Sequence, residues 1–297
     1  MERIFIYQIQ EAEAGQTLLD FLRAKGYSRH MLTGFKTSPG SLLLNNGIAR
    51  GHALLGVGDC IRVRLADEKA SEKIPPVFMP LHILYEDEDI LVLNKAADTP
   101  IHPSVGNYEN TLANGVAWYY AQKGEAYVFR CINRLDRDTT GALILAKNAL
   151  SAAVLSAQMK AREIHRTYLA LAEGKTPLSG TIQAPIARVD SSAILREVNY
   201  KTGESACTHF QRLDFHNGLS LLELHLESGR THQIRVHMKH LGFPLTGDFL
   251  YNPNFSHIHR QALHSYQLVF RHPITGKALI FQAPVPEDMR RAFLSED

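Results

Sequence analysis

Apolar segments typical of β-strands dominate the chain after residue 80, and helical segments interrupt them irregularly. Residues 83–95 form two apolar runs around an acidic turn, which predicts a hairpin of buried strands. Runs at 142–147, 165–174 and 219–228 predict further strands. A regular alternation of strand and helix would have indicated a parallel βαβ repeat. The irregular order instead predicts an α+β fold with a mixed, largely antiparallel sheet and flanking helices.

Two helices are expected between these strands. The first has Asn148 as its N-cap, and its apolar face is formed by Leu150, Val154, Ala157 and Ala161. The second has Thr231 as its N-cap and ends at Gly242; its apolar stripe is formed by Ile234, Met238 and Leu241.

A charged segment with two prolines, residues 66–76, indicates a linker between two domains. We expect a small N-terminal domain at 1–66, a linker at 67–79 and the main domain at 80–297. Helices near 17–25 and 28–36, followed by short strands, resemble the S4-like RNA-binding module. That resemblance implies that Arg23, Lys25 and Arg29 contact RNA phosphates. The alternative is that they are ordinary solvated charges.

Composition limits the class of protein. Hydrophobic residues make up 45% of the 297 residues, and the net charge of +2 is too small for indiscriminate coating of nucleic acid. Three widely separated cysteines favour neither a disulfide framework nor a zinc site. The sequence has no signal peptide and no run of apolar residues that would span a membrane. We therefore expect a monomeric cytoplasmic protein that binds neither membrane nor metal.

The segment CINRLDRDTTG at 131–141 carries the strongest chemical signal. It places Arg134, Asp136, Arg137 and Asp138 in a polar loop directly before an apolar strand. A carboxylate flanked by arginines is favoured in its charged form and can act as a nucleophile or base. The same residues could equally form a turn in which Asp and Thr side chains bond backbone amides.

Four segments resemble, in order, the motifs of the RluA-type pseudouridine synthases. NRLDRDTTG at 133–141 is similar to the family's HRLDxxTSG, and LNKAADTPIHPS at 93–104 to its NKPAG…HPS stretch. HRTYLALAEG at 165–174 is similar to KxYxAxxxG. SGRTHQIRVHMKHLG with the following GDFLY, at 228–251, is similar to TGRTHQIRxHxxxxG…GDxxY. An S4-like domain in front is common in that family.

The resemblance implies an enzyme that isomerises uridines of ribosomal or transfer RNA without metal or organic cofactor. Asp136 matches the essential aspartate, which attacks C6 of the base in one proposal and C1′ of the ribose in another. Tyr168 matches the tyrosine that stacks on the target base and helps remove the final proton. Arg235 matches the basic partner of the aspartate, and Arg134 the arginine that fills the gap left by the flipped nucleotide. Arg137, Arg230 and His232 are expected RNA contacts in the same motifs.

Without the resemblance, Tyr168 would be interpreted as a core residue of a strand and Arg235 as a surface charge of a helix. The sequence also departs from the motifs. Asn133 stands where histidine is usual, and we expect it to keep the hydrogen bonds. The run KAAD at 95–98 lacks the usual proline and glycine, and Glu204 replaces a common lysine.

Two other functions are compatible with parts of the sequence. The first keeps the fold without the chemistry, as an inactive RNA-binding or assembly factor. The second is a metal-dependent hydrolase, suggested by fifteen histidines, among them His225, His232, His237 and His240. The spacing of those four histidines lacks an HExxH pattern, and His232 and His237 do not share a helical face, which argues against a hydrolase.

Overall fold

The computed structural model describes residues 2–65, 73–104 and 106–294. Part of the predicted linker, residues 67–72, lies outside the described residues. The predicted domain limits therefore stay predictions.

Residues 2–65, here called the N-terminal unit, form two helices on a small antiparallel sheet. The strand order is β1-β4-β2-β3. The elements are β1 (Arg3–Gln8), α1 (Leu18–Ala24), α2 (Arg29–Thr37), β2 (Leu42–Leu44), β3 (Gly47–Ile48) and β4 (Cys60–Leu65). Both predicted helices are present, and the Thr17 side chain caps α1 by accepting a hydrogen bond from the Asp20 amide. Strand β1 was not expected from the sequence.

The N-terminal unit has its own core and also packs against the rest of the chain. Leu18 and Phe21 of α1 meet Ile61 of β4 in a cluster that also contains Leu150, with Val154 packed against it. Both of the last two residues belong to helix α4 (Ala149–Lys160). The interior of the N-terminal unit is therefore completed by a helix that follows it by more than eighty residues.

One large sheet organises the rest of the chain. Within the described residues it has nine strands, in the order β5-β6-β7-β14-β8-β13-β12-β9, with β15 paired to β14. Only the β7–β14 pairing is parallel among the described pairs, which confirms the mixed, largely antiparallel sheet. The strands are β5 (His82–Glu86), β6 (Ile90–Lys95), β7 (Thr140–Ala146), β8 (His165–Glu173), β9 (Ser179–Gln183), β12 (Cys207–His216), β13 (Leu219–Leu226), β14 (Leu263–Arg271) and β15 (Ala278–Gln282).

The remaining elements flank this sheet. They are α3 (Leu112–Gln122), α4, a separate β10 (Ile186–Arg188) and β11 (Arg196–Val198) ribbon, α5 (Gln233–His240) and α6 (Glu287–Leu294). Helix α5 packs Ile234 and Met238 into the core beneath the sheet face that carries Tyr168. No helix in the described part of the chain has the length and apolarity needed to cross a bilayer.

Three local predictions were wrong. Strand β5 is the edge of the sheet, so Ile83 is 38% exposed and the hairpin is buried only on its β6 side. Helix α4 buries Leu155 against the sheet and Leu150 against the N-terminal unit, which leaves the predicted Ala157 and Ala161 exposed. Helix α5 has no cap from Thr231, because the next residue, His232, occupies the N-cap in a left-handed conformation with φ of 57°.

Candidate active site

An open cavity of about 590 Å³ lies where α5, β8 and the loop before β7 meet. Six of the predicted site residues line it: Arg134, Asp136, Tyr168, Arg230, His232 and Arg235. The sheet brings together side chains that are up to about a hundred residues apart in the sequence. We call this cavity the catalytic cavity.

The loop that carries Asp136 is fixed to the sheet from both sides. Buried Asn133 donates from Nδ2 to the Ala142 carbonyl (3.2 Å) and accepts from the Ile144 amide (2.8 Å). Asparagine therefore ties this loop to β7 in place of the usual histidine. After the loop, Gly141 has φ of 111°, and a Cβ there would lie 2.2 Å from the Ser265 carbonyl oxygen. Only glycine allows β7 to approach β14 this closely.

Lys95 holds the same loop from below. Its Nζ donates to the carbonyls of Ala96 (2.7 Å), Thr99 (3.0 Å) and Arg137 (2.7 Å), and the side chain is 2% exposed. Burial lowers the pKa of Lys95 to about 7, although nearby carboxylates such as Asp138 oppose that shift. The buried Lys95 thus holds the backbone next to Asp136 through these three hydrogen bonds.

Arg235 connects the loop to a second carboxylate. Its Nη1 donates to Asp136 Oδ2 at 3.0 Å, while Nε and Nη2 bind both oxygens of Asp248 at 2.7 Å. Burial lowers the pKa of Arg235, but the two carboxylates outweigh that effect and hold the pKa above its ordinary value. The expected Asp136–Arg235 pair is therefore present. Asp248 was not singled out from the sequence, although it belongs to the GDFLY motif.

His232 completes the polar wall of the cavity. Its Nδ1 is 2.9 Å from the Tyr251 hydroxyl, and its Nε2 is 4.0 Å from Asp136 Oδ2. Burial lowers the pKa of His232, and the charge of Asp136 opposes that shift. The left-handed backbone at this residue was not predicted.

Tyr168 lies on the core-facing side of β8 and is 5% exposed. The alternation predicted for this strand is confirmed, since Tyr168 and Ala170 share one cluster and Leu171 belongs to another. Burial raises the pKa of Tyr168, so the hydroxyl stays protonated at neutral pH. The tyrosine is both a core residue and part of the cavity wall.

The rim of the catalytic cavity is basic. Beside Arg134 it includes three cations that were not predicted, Lys160, Arg162 and Arg166. Arg230 also lines the rim, where it is ion-paired with Glu204 and donates to the Ser205 carbonyl (3.2 Å). Glu204, which replaces a common lysine, therefore neutralises one of the predicted RNA contacts.

Four predicted RNA contacts lie elsewhere. Arg137 is adjacent to Asp136 but points to a separate cavity, where it pairs with Asp138 at 3.0 Å. The other three belong to the N-terminal unit and do not line the catalytic cavity. Their surroundings differ: Arg23 pairs with Asp20 (3.2 Å), Lys25 with Glu13 (2.8 Å), and Arg29 is exposed at the start of α2.

The four histidines that suggested a metal site do not converge. His237 uses both ring nitrogens in the core, with Thr208 Oγ1 and the Ala184 carbonyl each at 2.9 Å. Within residues 2–65, 73–104 and 106–294, two other groups have metal-ligating atoms close together, and neither contains those histidines. They are Cys207 with His209 and Glu227, and Asp87 with Asp89 and His272.

Comparison with known proteins identifies the family. The sequence model described as RNA pseudouridylate synthase matches residues 89–240, which contain Asp136, Tyr168 and Arg235. The chain belongs to the RNA pseudouridylate synthase family. Members of this family are isomerases, so the synthase is an enzyme of that class.

Relatives of the synthase match it over most of its length. The RNA pseudouridine synthase YjbO of Bacillus subtilis is 38% identical over 95% of this chain and 99% of that protein. Ribosomal large subunit pseudouridine synthase D of Zymomonas mobilis is 38% identical over 79% of this chain and 78% of its own length. The solved structure of human RNA pseudouridylate synthase domain containing 1 has a TM-score of 0.59 and 28% identity, covering 71% of this chain and 85% of its own.

Proposed function

We propose that the synthase isomerises uridines of structured RNA with Asp136 as its catalytic carboxylate. The observation that carries the proposal is the 3.0 Å ion pair between Asp136 and Arg235 in the wall of a cavity lined by Tyr168. Asp136 is 26% exposed, so a substrate can reach it, while Arg235 is 2% exposed and fixed. A reachable nucleophile beside an immobile charge is the arrangement that this chemistry needs.

The two oxygens of Asp136 have different environments. Arg235 Nη1 and His232 Nε2 both face Oδ2. Oδ1 is therefore the oxygen that we assign to attack on the uridine. Attack at C1′ or at C6 leads to the same overall change: the N1–C1′ bond is exchanged for a C5–C1′ bond. The proton on C5 is lost and N1 gains one, so the reaction consumes neither oxidant nor cofactor.

Arg235 and Tyr168 act around that step in this proposal. The bidentate contact with Asp248 prevents Arg235 from following the substrate, so its charge stays beside the aspartate throughout. Tyr168 contacts the target base from the cavity wall. Because its pKa is raised by burial, its hydroxyl enters the reaction protonated and acts first as a hydrogen-bond donor.

The substrate is ribosomal or transfer RNA from which the target nucleotide is turned outwards. A glycosidic bond within a stacked helix is out of reach, and extrusion costs a few kcal/mol. The basic rim, with Arg134 and Lys160, supports phosphate binding around the extruded nucleotide. Arg230 joins this contact only if a phosphate displaces Glu204 from it. Arg134 is exposed and next but one to Asp136, which suits it to fill the gap in the stack. The names of the relatives favour large-subunit ribosomal RNA.

The N-terminal unit serves in this proposal as an S4-like RNA-binding domain at 1–66. Its exposed Arg29, together with Arg23 and Lys25, adds phosphate contacts away from the catalytic cavity. We place the synthase in the cytoplasm as a monomer, with neither a metal nor an organic cofactor in its reaction.

Asp136→Asn tests the catalytic assignment. The substitution keeps the volume of the side chain and removes a nucleophile, so we expect no detectable product. The measurement is tritium release from RNA labelled at C5 of uridine, using total ribosomal and transfer RNA. RNA affinity should persist, because phosphate contacts supply most of it.

Asp214→Asn is the matched control, since it removes one carboxylate from an exposed position that lines neither cavity. It should release tritium as the wild type does. Release by Asp136→Asn at a rate close to that of the control would refute the assignment. Release by neither the control nor the wild type on any RNA would favour an RNA-binding protein without activity.

A further inference from the structure

A second cavity, of about 720 Å³, lies on the other side of the Asp136 loop from the catalytic cavity. We call it the flanking pocket and define it by Asp98, Arg137, Phe249, Phe255, His257 and His259. Its volume exceeds that of a nucleobase. The predicted RNA contact Arg137 points into it, whereas the neighbouring Asp136 points into the catalytic cavity.

One aromatic ring lies close to an arginine of each cavity. The guanidinium carbon of Arg137 is 5.6 Å from the centroid of Phe249, and that of Arg235 is 5.7 Å from the same centroid. Asp136 and Arg137 are neighbours in the chain but line different cavities, so they can contact neighbouring nucleotides of one bound strand. A nucleotide next to the target uridine would therefore reach the flanking pocket.

Two aromatic rings of the flanking pocket are exposed to solvent. Phe249 is 44% exposed and Phe255 is 39% exposed. Phe255 is stacked on His259 with ring centroids 6.3 Å apart and an interplanar angle of 23°. Exposed aromatic rings beside an arginine are the surfaces on which unpaired RNA bases stack.

Phosphate attraction does not explain this pocket. Two of its three arginines are matched by carboxylates: Arg137 pairs with Asp138 at 3.0 Å, and Arg260 binds Asp288 through two contacts of 2.7 and 2.8 Å. A site with paired charges and open rings is suited to a base rather than to the backbone.

Asp98 gives the pocket a preference among bases. It stands where the resembling motif has glycine, and it keeps a left-handed backbone with φ of 50°. Its carboxylate is 85% exposed and lies 3.6 Å from the Arg137 guanidinium. Non-glycine residues adopt this conformation at a cost, which persists mainly at functional sites. The two carboxylate oxygens match the adjacent N1–H and N2–H donors of guanine.

We propose that the flanking pocket binds the guanine base of an unpaired nucleotide next to the target uridine. The base stacks on Phe249 and Phe255, and Asp98 accepts hydrogen bonds from its Watson–Crick edge. This inference rests on the proposed function, because the neighbour of a target uridine exists only in an RNA substrate. It adds a specificity determinant that the catalytic cavity does not contain.

The test is equilibrium binding of fluorescein-labelled nonamers of uridine that carry one central guanine, inosine or adenine. We expect wild type to bind the guanine nonamer about tenfold more tightly than the adenine nonamer, as one charge-assisted hydrogen bond can supply. Inosine, which keeps N1–H and lacks the N2 amine, should be intermediate. Asp98→Gly should abolish the preference, and Phe255→Leu should weaken binding of all three.

Asp98→Gly relieves the left-handed backbone, so a folded protein is expected, and Asp214→Asn is the control for a lost surface carboxylate. A wild type that binds the three nonamers equally, or binds none of them, overturns the proposal. So does a guanine preference that survives in Asp98→Gly. Binding needs no turnover, so these results are independent of tritium release by the wild type, on which the isomerase assignment depends.

Discussion

The catalytic cavity depends mainly on charged side chains, whereas the contact between the N-terminal unit and α4 depends mainly on apolar ones. In the cavity, Arg235 is buried between Asp136 and Asp248, so the geometry depends on charges. At the contact, Leu150 and Val154 enter the core of the N-terminal unit, and Arg3 of the same unit binds the buried Asp89 at 3.1 Å. The direction of hydrogen bonds determines the geometry of the catalytic cavity, and the fit of apolar side chains determines that of the contact.

This difference predicts how substitutions in each region affect stability. A buried ion pair contributes little net stability while it is complete, but loss of one partner leaves an uncompensated charge. An apolar contact loses stability in proportion to the volume removed or forced in. A single substitution in the catalytic cavity should therefore cause a large loss of stability. At the contact, the loss should grow with the volume changed, and a second substitution should restore part of it.

Asp248→Asn should have the largest effect. Arg235 would keep only Asp136 as a charged partner, at a cost of about 3–5 kcal/mol in the free energy of unfolding. Thermal and urea denaturation measure this cost. Tritium release should fall by about a hundredfold or more, because Arg235 would no longer be fixed.

The matched control is Asp288→Asn. Asp288 binds Arg260 with the same two-pronged geometry, at 2.7 and 2.8 Å, but its side chain is 41% exposed. Arg260 is buried, but water can take the place of the exposed Asp288, so the loss should be smaller, about 1–2 kcal/mol. Equal losses of stability in Asp248→Asn and Asp288→Asn would show that the burial of Asp248 is not the cause of the large effect.

Gly26→Ala tests the contact. A Cβ at Gly26 would lie 2.5 Å from Val154 Cγ2, and the backbone φ is 94°. We expect a loss of about 2–3 kcal/mol, from both the left-handed backbone and the overlap. Gly15→Ala, with φ of 82° and open space around it, has the backbone cost alone and should lose about 1 kcal/mol.

Val154→Ala should restore part of the stability of Gly26→Ala, since it removes the methyl group that the new Cβ meets. It should restore nothing to Gly15→Ala. If Val154→Ala helps both variants or neither, the N-terminal unit does not pack on α4 as described.

The same contrast explains what the sequence could predict. Strands and helices with a clear apolar period, such as β8 and α1, were found because one face of each is simply buried. The face of α4 was predicted only in part, because the helix packs against two partners and periodicity describes one. The pair Asp136–Arg235 came from the resemblance to a family and could not come from periodicity.

Other parts of the site carried no readable local signal. The residues next to His232 do not predict its left-handed conformation, nor its distances of 2.9 Å from the Tyr251 hydroxyl and 4.0 Å from Asp136. Asp248 holds Arg235 from a loop that follows α5; the GDFLY motif contains it, but the motif does not say which side chain it contacts. Long-range contacts of single polar residues leave no periodic trace.

Lys95 is a buried ionisable residue, and a smaller effect on stability is expected from its titration. Its pKa is about 7 in the fold and about 10.5 when unfolded, so the unfolded chain binds more protons between those values. The free energy of unfolding should therefore rise with pH over this window, by up to about 1.4 kcal/mol per pH unit. Between pH 7.5 and 9, wild type should gain about 2 kcal/mol relative to Lys95→Met.

The measurement is urea denaturation of both proteins at several pH values, compared as a difference so that other titrations cancel. Lys95→Met will be less stable at every pH, because three carbonyls lose their donor. Only the slope of the difference matters. A flat difference between pH 7.5 and 9 would mean that Lys95 keeps its proton in the fold, with the three carbonyls outweighing its burial.

The smallest effect is expected on the exposed face of the N-terminal unit, at Arg29. Arg29 begins α2, where a positive charge opposes the helix macrodipole, so its removal should not destabilise the fold. A residue placed against this preference is better explained by a phosphate contact than by stability. Arg29→Gln should weaken RNA binding a few-fold, and the slope of log affinity against log salt should become shallower by about 0.7–0.9. Arg23→Gln is the control, since Arg23 is already paired with Asp20 at 3.2 Å and should change the slope less. Equal slopes for wild type and Arg29→Gln would remove Arg29 from the RNA interface and leave Arg23 and Lys25, both already ion-paired, as the remaining proposed contacts of the N-terminal unit.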